Sequence, residues 1–467
     1  MLNRGARMIL LVRKVSQGVR NLRLYCGSSY GVNVTSKLAG YWRFYWPLTL
    51  TGFAMVLGLQ FQNATLARYP DAVRELAVFA LAQGTFGLFQ AALNFMPQLS
   101  NVYARSPIGR QRSQRFSLAI STALAVPLLL LALGEPGRGL IGLAYGVDAT
   151  VTARVTEYLL LLTPLLWVNG QRHYYVGLLV QARLTGWVTI LNVCYLSAIV
   201  LILMVGYRAG WRVVWTLVGA QTGAALLHLT LAILIGRLRY VPPVEPEHAA
   251  VSYSELIRFF IPMTTTGIMF ALSRPILYGF VGRTPAGLVS IAALRVGFDF
   301  SMIFQQAANQ FRHFFVTYGL DDLAAKRRFM GLVGTGITLI MLVIAVSPLS
   351  DTVLGNLLGL RDPVKARAVE VILIMCLLPG IIVLRNYFHG ILMVRRRTAG
   401  MAAGGILRVA GIYAIAQLLF SMEALDHVSA AFVLLAGFGI ETAAVVVAAR
   451  RTHSPMGSTR ARSSDGR

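Results

Sequence analysis

Long apolar runs separated by short polar segments dominate the chain, as at residues 118–133 and 188–205. A helix needs about 20 mostly apolar residues to cross a bilayer, so the pattern predicts about twelve transmembrane helices and no stretch long enough for a soluble domain. The predicted spans are residues 41–66, 73–99, 115–134, 152–180, 185–206, 212–236, 254–281, 286–314, 328–348, 366–393, 399–420 and 428–449.

The first six predicted spans resemble the second six in register. Chance similarity between apolar segments would match Leu and Val, but here polar residues and prolines match, which indicates an internal repeat. At a shift of 215 the matches include Pro47 with Pro262, Gln90 with Gln305, Asn94 with Asn309 and Tyr103 with Tyr318, and at a shift of 213 they include Arg172 with Arg385 and Gly177 with Gly390.

This repeat predicts an all-α, polytopic membrane protein of two pseudo-symmetric six-helix bundles. Because an even number of helices returns the chain to its starting side, the bundles are expected to be parallel, with a substrate site near the midplane between them. The predicted organisation is a basic N-terminal extension at 1–38, a bundle at 39–240, a proline-containing linker at 241–252, a second bundle at 253–450 and a basic tail at 451–467.

The basic residues lie mainly at the termini and in alternate loops. The formal net charge is +25, and no acidic residue precedes Asp71. This positive-inside pattern predicts cytoplasmic termini, and it accounts for the charge without a nucleic-acid partner. Only four of the 43 basic residues are Lys, which suggests a GC-rich bacterium and hence its inner membrane. We expect the lipid bilayer as the surroundings and a monomer as the working form.

Cysteine and histidine patterns give no sign of enzyme chemistry. The three cysteines, Cys26, Cys194 and Cys376, have no metal-ligand spacing. The seven histidines are scattered, with no two separated by four residues, and no loop carries a paired-carboxylate motif. Membrane enzymes need such clusters for metal or acid–base work. We therefore expect neither an enzyme nor a bound metal or cofactor.

Charged residues inside the predicted spans are concentrated in the second half. A charge at mid-membrane costs about 2.5–3.5 kcal/mol on insertion scales, so each needs a partner or a wet cavity. Arg295, Asp299 and Asn309 follow helical steps, with Gln306 and His313, and predict a polar stripe on the eighth span. The candidate substrate-binding residues are Arg274, Arg295, Arg385, Arg408, Asp299, His389, Glu441, Gln90, Asn94, Gln305, Asn309 and Arg172.

The arginines among these candidates favour an anionic substrate. The planar guanidinium gives two parallel hydrogen bonds to a carboxylate or phosphate. Through the repeat, only Arg385 has a basic counterpart, Arg172, so the second copy has gained positive charge. The alternative is structural pairing, within one helix for Arg295 with Asp299 and between two spans for Arg408 with Glu441.

Short motifs around these residues resemble the progressive ankylosis protein family, within the superfamily of multidrug, oligosaccharidyl-lipid and polysaccharide exporters (MATE-like). They are Ser273-Arg274-Pro275-Ile276, Arg385 with Gly390-Ile391-Leu392-Met393, Leu407-Arg408, and Glu441 after two glycines. The resemblance implies a MATE-like fold and export of pyrophosphate, citrate or nucleotide. Cation-coupled drug exporters of the superfamily carry an acidic residue in the first helix, where this chain has only Gln60, Gln62 and Asn63.

Together these patterns predict an exporter of a small organic or phosphate-containing anion that works by alternating access. A flippase of a lipid-linked oligosaccharide, as in polysaccharide biosynthesis, is the alternative, since its pyrophosphate would suit the same arginines. A drug exporter with cationic substrates fits the positive charge poorly.

Overall fold

A computed structural model describes residues 34–182, 184–241, 251–395 and 399–451. In these ranges the backbone forms sixteen α-helices and one π-helical segment, with no strand. The all-α membrane fold expected from the sequence is therefore confirmed. The predicted extension 1–38, linker 241–252 and tail 451–467 lie wholly or largely outside the described residues.

The element order of the first half recurs in the second. The first-half helices are α1 (Val34–Leu66), α2 (Ala72–Leu93), α3 (Met96–Tyr103), α4 (Pro107–Ala132), α5 (Glu135–Tyr145), α6 (Ala149–Gln181), α7 (Thr185–Arg208) and α8 (Val213–Arg239). The second-half elements are α9 (Tyr253–Val281), α10 (Gly287–Asn309), α11 (Phe311–Tyr318), α12 (Leu323–Val346), the π-helical segment (Asp351–Leu357), α13 (Val364–Met375), α14 (Leu378–Val394), α15 (Ala399–Ser421) and α16 (His427–Arg451).

Eleven helical segments of the described chain are long and apolar enough to cross a membrane. The predicted span 41–66 lies within α1, which is not among the eleven, although its 33 residues would extend about 50 Å. Three spans predicted as single helices are interrupted: the second becomes α2 and α3, the eighth α10 and α11, and the tenth α13 and α14. The segment 136–148, expected as a loop, contains most of α5.

Two of these interruptions lie at prolines. Pro97 and Pro379 occupy the first turns of α3 and α14. A proline ring clashes with the carbonyl four residues earlier, and those residues, Leu93 and Met375, are where the preceding helices end. The interruption at Gln310, between α10 and α11, has no proline, and no local sequence signal predicted it.

The short helices α3 and α11 occupy matching places in the two halves, and each packs against a glycine. A Cβ atom on Gly177 of α6 would collide with Ser100 of α3. A Cβ atom on Gly390 of α14 would collide with Phe315 of α11. These glycines are matched by the sequence repeat, so the close approach belongs to the repeated unit and holds the interrupted second span of each half in place.

The two halves pack along α1 with α10 and along α2 with α9. The hydroxyl of Tyr45 in α1 donates to the carbonyl of Ala307 in α10 at 2.7 Å. Gly84 of α2 lies against Pro275 of α9, where a Cβ atom would meet the proline ring at 3.5 Å. Three of these four helices, α1, α9 and α10, carry Asn63, Arg274 and Asp299, which are discussed below.

The halves also contact each other at both ends. At the end where basic loops are predicted, Arg112 of α4 donates to the carbonyl of Val251 at 2.6 Å. At the opposite end, Arg68 donates to the carbonyl of Leu357 at 2.8 Å. In this conformation, polar contacts join the two bundles on both sides of the central residues.

Candidate substrate-binding site

The first group of intramembrane charges, called the Asp299 cluster, joins Asn63 of α1, Arg274 of α9, and Arg295 and Asp299 of α10. Arg274 donates to one carboxylate oxygen of Asp299 at 2.7 Å, and the guanidinium of Arg295 lies 3.7 Å from the other. The amide of Asn63 donates to Asp299 at 3.2 Å and accepts from Nε of Arg295 at 2.9 Å. Asp299, 2% exposed, is thus shared by two arginines.

The two arginines of this cluster differ in their access to solvent. The Arg295 side chain is 5% exposed and lies over the Phe79 ring, 4.5 Å from its centroid. The Arg274 side chain is 29% exposed and lies 5.5 Å from the centroid of Phe298. Arg274 is therefore the more exposed of the two arginines of this cluster.

The second group, called the Glu441 cluster, joins α14, α15 and α16. One oxygen of Glu441 accepts from Arg385 at 3.0 Å and from Arg408 at 2.6 Å. Arg385 also donates to the side chain of Asn309 in α10, and Arg408 donates to the carbonyl of Met269 in α9, both at 3.3 Å. Both arginine side chains are 2% exposed. The cluster thus connects the helices that carry Asp299 and Arg274.

His389 and Asn386 complete the Glu441 cluster. His389 lies one turn after Arg385, is 3% exposed and is within electrostatic range of Glu441. Asn386 donates to the carbonyl of Ala308 at 2.8 Å and so anchors α14 to α10. Arg385, Asn386, Arg408 and Glu441 are thus each bonded to a neighbouring helix.

Each cluster combines two guanidinium groups with one carboxylate, which leaves one positive charge in excess. Burying an ion costs several kcal/mol unless opposite charge and hydrogen bonds compensate for it. By contrast, a network near the start of α2 and α6 is balanced in charge, with two arginines and two glutamates. There Arg154 contacts Glu75 at 2.7 Å and Glu157 at 2.6 Å, and Arg212 contacts Glu157 at 2.9 Å. The two clusters, unlike that network, can stabilise an anion.

The four candidate arginines were predicted from the sequence to line one site, but in the structure they lie in two separate clusters. Arg295 lies in the Asp299 cluster and Arg408 in the Glu441 cluster. Asp299 and Asn309 are ten residues apart on α10, so the clusters are separated by about 15 Å along that helix. The pairings considered from the sequence, Arg295 with Asp299 and Arg408 with Glu441, are both present.

The remaining predicted residues lie outside these clusters. Gln305 is buried on α10, Gln90 is half-buried on α2, and Asn94 is exposed at the end of α2. Arg172 lies in α6 with its guanidinium 4.8 Å from the ring centroid of Tyr195. The predicted polar stripe also ends at Asn309, because α10 stops there and His313 belongs to α11.

Sequence reasoning missed the contribution of neutral amides. In the sequence, Asn63 was notable only as one of three neutral polar residues in a first span that has no acidic residue. In the structure, it contacts both Arg295 and Asp299. When a longer loop is allowed in the second half, the sequence repeat also matches Gln221-Thr222 with Glu441-Thr442, and this match was the only sign of Gln221. In the structure Gln221 donates to Gln62 at 3.0 Å and accepts from Gln83 at 3.1 Å. Such partners depend on packing between helices, which periodicity along one helix does not reveal.

In the described part of the chain, no group of three or more His, Cys, Asp or Glu side chains is arranged to hold a metal ion. Guanidinium groups dominate both clusters, and such groups form hydrogen bonds to carboxylates and phosphates.

No family model matches the sequence, and no curated protein matches it. Solved structures do match. The lipid II flippase MurJ, in an inward closed conformation, aligns over 86% of this chain and 87% of its own, with a TM-score of 0.65 and 10% identity. The eukaryotic MATE transporter AtDTX14 aligns over 90% and 99%, with a TM-score of 0.60 and 13% identity.

An inward-facing multidrug resistance MATE family transporter of the MOP superfamily also matches, over 87% of this chain and 94% of its own, with a TM-score of 0.54 and 13% identity. At these identities the likeness concerns the fold. This multi-pass membrane protein therefore shares its fold with MATE transporters and with MurJ.

Proposed function

We propose that this protein is a transporter that moves an anionic substrate across the membrane by alternating access between its two halves. Arg274 carries the proposal, because it is partly exposed, lies at the packed face between the halves and shares its carboxylate with Arg295. Its guanidinium can therefore bind an incoming anion while Asp299 remains neutralised by Arg295.

The chemistry of the Asp299 cluster fits a phosphate or carboxylate. A guanidinium fork forms two charge-assisted hydrogen bonds to such groups, and these are about twice as strong as neutral ones. Asn63 fixes both Arg295 and Asp299, so the electrostatic environment of Arg274 is set before the ligand arrives. An excess of one positive charge favours an anion over the cations that many drug exporters take.

Alternating access is supported by where the polar contacts between the halves lie. Arg112 with Val251 at one end and Arg68 with Leu357 at the other are side-chain bonds to carbonyl groups. Such bonds can break at one end while those at the other persist. Structures with this fold include inward-facing and outward-facing conformations of a multidrug resistance MATE family transporter.

The leading substrate class is a small organic or phosphate-containing anion, such as citrate, pyrophosphate or a nucleotide. It rests on the motif residues shared with the progressive ankylosis family, since Arg274, Arg385, Arg408 and Glu441 all lie in the two clusters. A lipid-linked oligosaccharide carrying pyrophosphate is the second candidate. The fold likeness to MurJ, a lipid II flippase, favours it.

Transport in proteoliposomes tests the proposal and separates the two substrates. Uptake of labelled citrate, pyrophosphate and ATP is measured beside the exposure of a labelled lipid-pyrophosphate sugar on the opposite leaflet. We expect Arg274→Gln to lower transport about tenfold or more, because it removes a charge-assisted interaction. Arg274→Lys should restore it only in part, since a point charge cannot reproduce the fork.

The matched control is Arg138→Gln, because Arg138 is an exposed arginine paired with Glu135 at 3.0 Å. This variant should transport like the parent. The proposal fails if Arg274→Gln transports every tested anion as fast as the parent, or if the parent moves none of them above protein-free liposomes.

A further inference from the structure

Arg172 of α6 is a buried arginine that has no carboxylate against it within the described residues. It is 8% exposed, and its Nε has no hydrogen-bond acceptor. One face of its guanidinium is covered by Tyr195 of α7, whose ring centroid lies 4.8 Å away. Unlike Arg274 and Arg385, it has no acidic residue to neutralise it.

Neutral polar groups surround this guanidinium. Asn169 and His173 lie three residues before and one residue after Arg172, so Asn169 and Arg172 share a face of α6 with His173 beside them. His228 of α8 is 2% exposed, and its ring lies 6.1 Å from that of Tyr195. Oδ1 of Asn169, Nε2 of His173 and Nδ1 of His228 are all buried without a hydrogen-bond partner. Both histidines are within electrostatic range of Arg172.

This arrangement leaves a charge and several polar atoms uncompensated inside the membrane-spanning part of the protein. An arginine at membrane depth is costly unless it pairs or faces water, and a buried polar group without a partner adds to that cost. An amide or an imidazole can satisfy hydrogen bonds but cannot cancel the charge of Arg172. None of the residues that the structure describes cancels this charge, so the partner that we consider is an anion from outside the chain.

In the second half, a carboxylate of the chain itself takes the place of this partner. The repeat matches Arg172 with Arg385, which donates to Glu441 at 3.0 Å. The sequence repeat, with a longer loop allowed in the second half, matches Glu441 with Gln221, a neutral residue that is already bonded to Gln62. The first half thus keeps the arginine but lacks the acid, so a mobile anion can take the place of the carboxylate.

We infer that Arg172, with Tyr195 and His228, forms a second anion-binding site between α6, α7 and α8, and that its ligand carries a phosphate group. Arg172 would supply charge-assisted hydrogen bonds, and the histidines would supply N–H donors, since either ring nitrogen can carry the proton. Tyr195 and His173 are partly exposed, so the site is open to its surroundings beside α6. The phosphate can come from a soluble anion or from a phospholipid headgroup. The site lies outside the Asp299 and Glu441 clusters and does not depend on the transport proposal.

Thermal unfolding in nanodiscs tests the inference. The parent, Arg172→Met and Arg274→Gln are each measured in phosphatidylcholine alone, in phosphatidylcholine with added pyrophosphate, and in discs that also contain phosphatidylglycerol. A ligand that binds only the folded state raises the unfolding temperature. We expect pyrophosphate or phosphatidylglycerol to stabilise the parent, and whichever acts identifies the source of the phosphate.

Arg172→Met should weaken that response, with about a tenfold or greater loss of apparent affinity, while Arg274→Gln should retain it at least in part. Because Arg172→Met removes an uncompensated charge, it should also unfold at a higher temperature than the parent when no anion is present. The inference is overturned if Arg172→Met responds like the parent, or if the parent responds to neither additive. If Arg274→Gln alone abolishes the response, the second site is refuted and the transport proposal stands.

Asn169→Asp keeps the test decisive if Arg172→Met does not fold. Asn169 is 2% exposed, and the replacement is nearly isosteric with it. An aspartate one turn before Arg172 would supply the missing charge from within α6. We expect this variant to be more stable than the parent without anion and to respond less to pyrophosphate or phosphatidylglycerol. An unchanged response with an unchanged unfolding temperature would refute the site.

Discussion

The sequence repeat, when a longer loop is allowed in the second half, matches Gln221 with Glu441, and the surroundings of the two residues differ in charge. Gln221 bonds to two other glutamines, Gln62 and Gln83, and all three are neutral. Glu441 instead accepts from Arg385 and Arg408. The last helix of one copy is thus bonded through amides, and the last helix of the other copy is bonded through ions.

This difference shows that the fold does not require the ions. The first half forms the same order of helices with a neutral network, and neutral groups are cheaper to bury than charges. In the second half, the Glu441 cluster bears the cost of three buried ions and leaves one positive charge over. We interpret that charge as serving ligand binding.

The largest effect is expected from Glu441→Gln. Removing the carboxylate leaves Arg385 and Arg408 buried without their shared partner, and breaking a buried ion pair in this way costs about 3–5 kcal/mol. Thermal unfolding in detergent or nanodiscs measures the loss. Gln221→Leu is the matched change in the first half, and it should cost only about 1–2 kcal/mol because it leaves neutral amides unpaired.

Replacing the whole Glu441 cluster sharpens the result. A triple variant with Met at Arg385, Arg408 and Glu441 should be close to the parent in stability, since buried ion groups replaced together by apolar residues are often neutral or stabilising. Anion transport by this variant should nevertheless fall. Equal losses of stability for Glu441→Gln and Gln221→Leu would contradict the view that the last helix is held by ions in the second half and by amides in the first.

An intermediate loss of stability is expected from changes at two glycines that are matched and closely packed in both halves. Gly177→Ala and Gly390→Ala each force a methyl group into a closely packed neighbour, Ser100 or Phe315. Overpacking of this kind costs about 1–3 kcal/mol, and both variants should lose a similar amount. Gly439→Ala is the control, because no atom lies within 4 Å of its added Cβ. A loss in only one half would show that α3 and α11 do not play equivalent parts.

The sequence predicted the features that follow from periodicity. Apolar runs predicted the helices, polar matches between the halves predicted equivalent places such as Gly177 and Gly390, and a spacing of four residues predicted the pair Arg295 with Asp299. These features depend on positions along one helix or on comparison of the two copies. Neither requires knowledge of how helices pack.

Contacts between helices that are far apart in the sequence could not be predicted from periodicity or from the repeat. Arg274 of α9 on Asp299 of α10 and Arg385 of α14 on Glu441 of α16 depend on the rotation and height of each helix. The interruption at Gln310 has no proline to announce it. Periodicity could identify the polar residues but could not predict that they form two separate clusters.

The smallest structural effect is expected from cysteine probes of the membrane topology. Ser106, in the short basic connection before α4, is a poor probe position, because it is 5% exposed and its hydroxyl accepts from the amide of Gly109 at 3.0 Å. Ile108 is 45% exposed and lies in the first turn of α4. At the opposite end, Gly139 of α5 is exposed, with no atom within 4 Å of an added Cβ.

Labelling of these two sites tests the predicted orientation of the first half from both ends. In a background where all three natural cysteines are replaced by serine, Ile108→Cys and Gly139→Cys are expressed separately in bacterial cells. A membrane-impermeant maleimide added to intact cells should label Gly139→Cys and should reach Ile108→Cys only after permeabilisation, because basic loops remain in the cytoplasm. Labelling of both sites after permeabilisation confirms that each is accessible, and unfolding temperatures close to the parent confirm that neither change disturbs the fold. The reverse pattern in intact cells would invert the protein in the membrane, and the excess positive charge of the loops would then need another explanation.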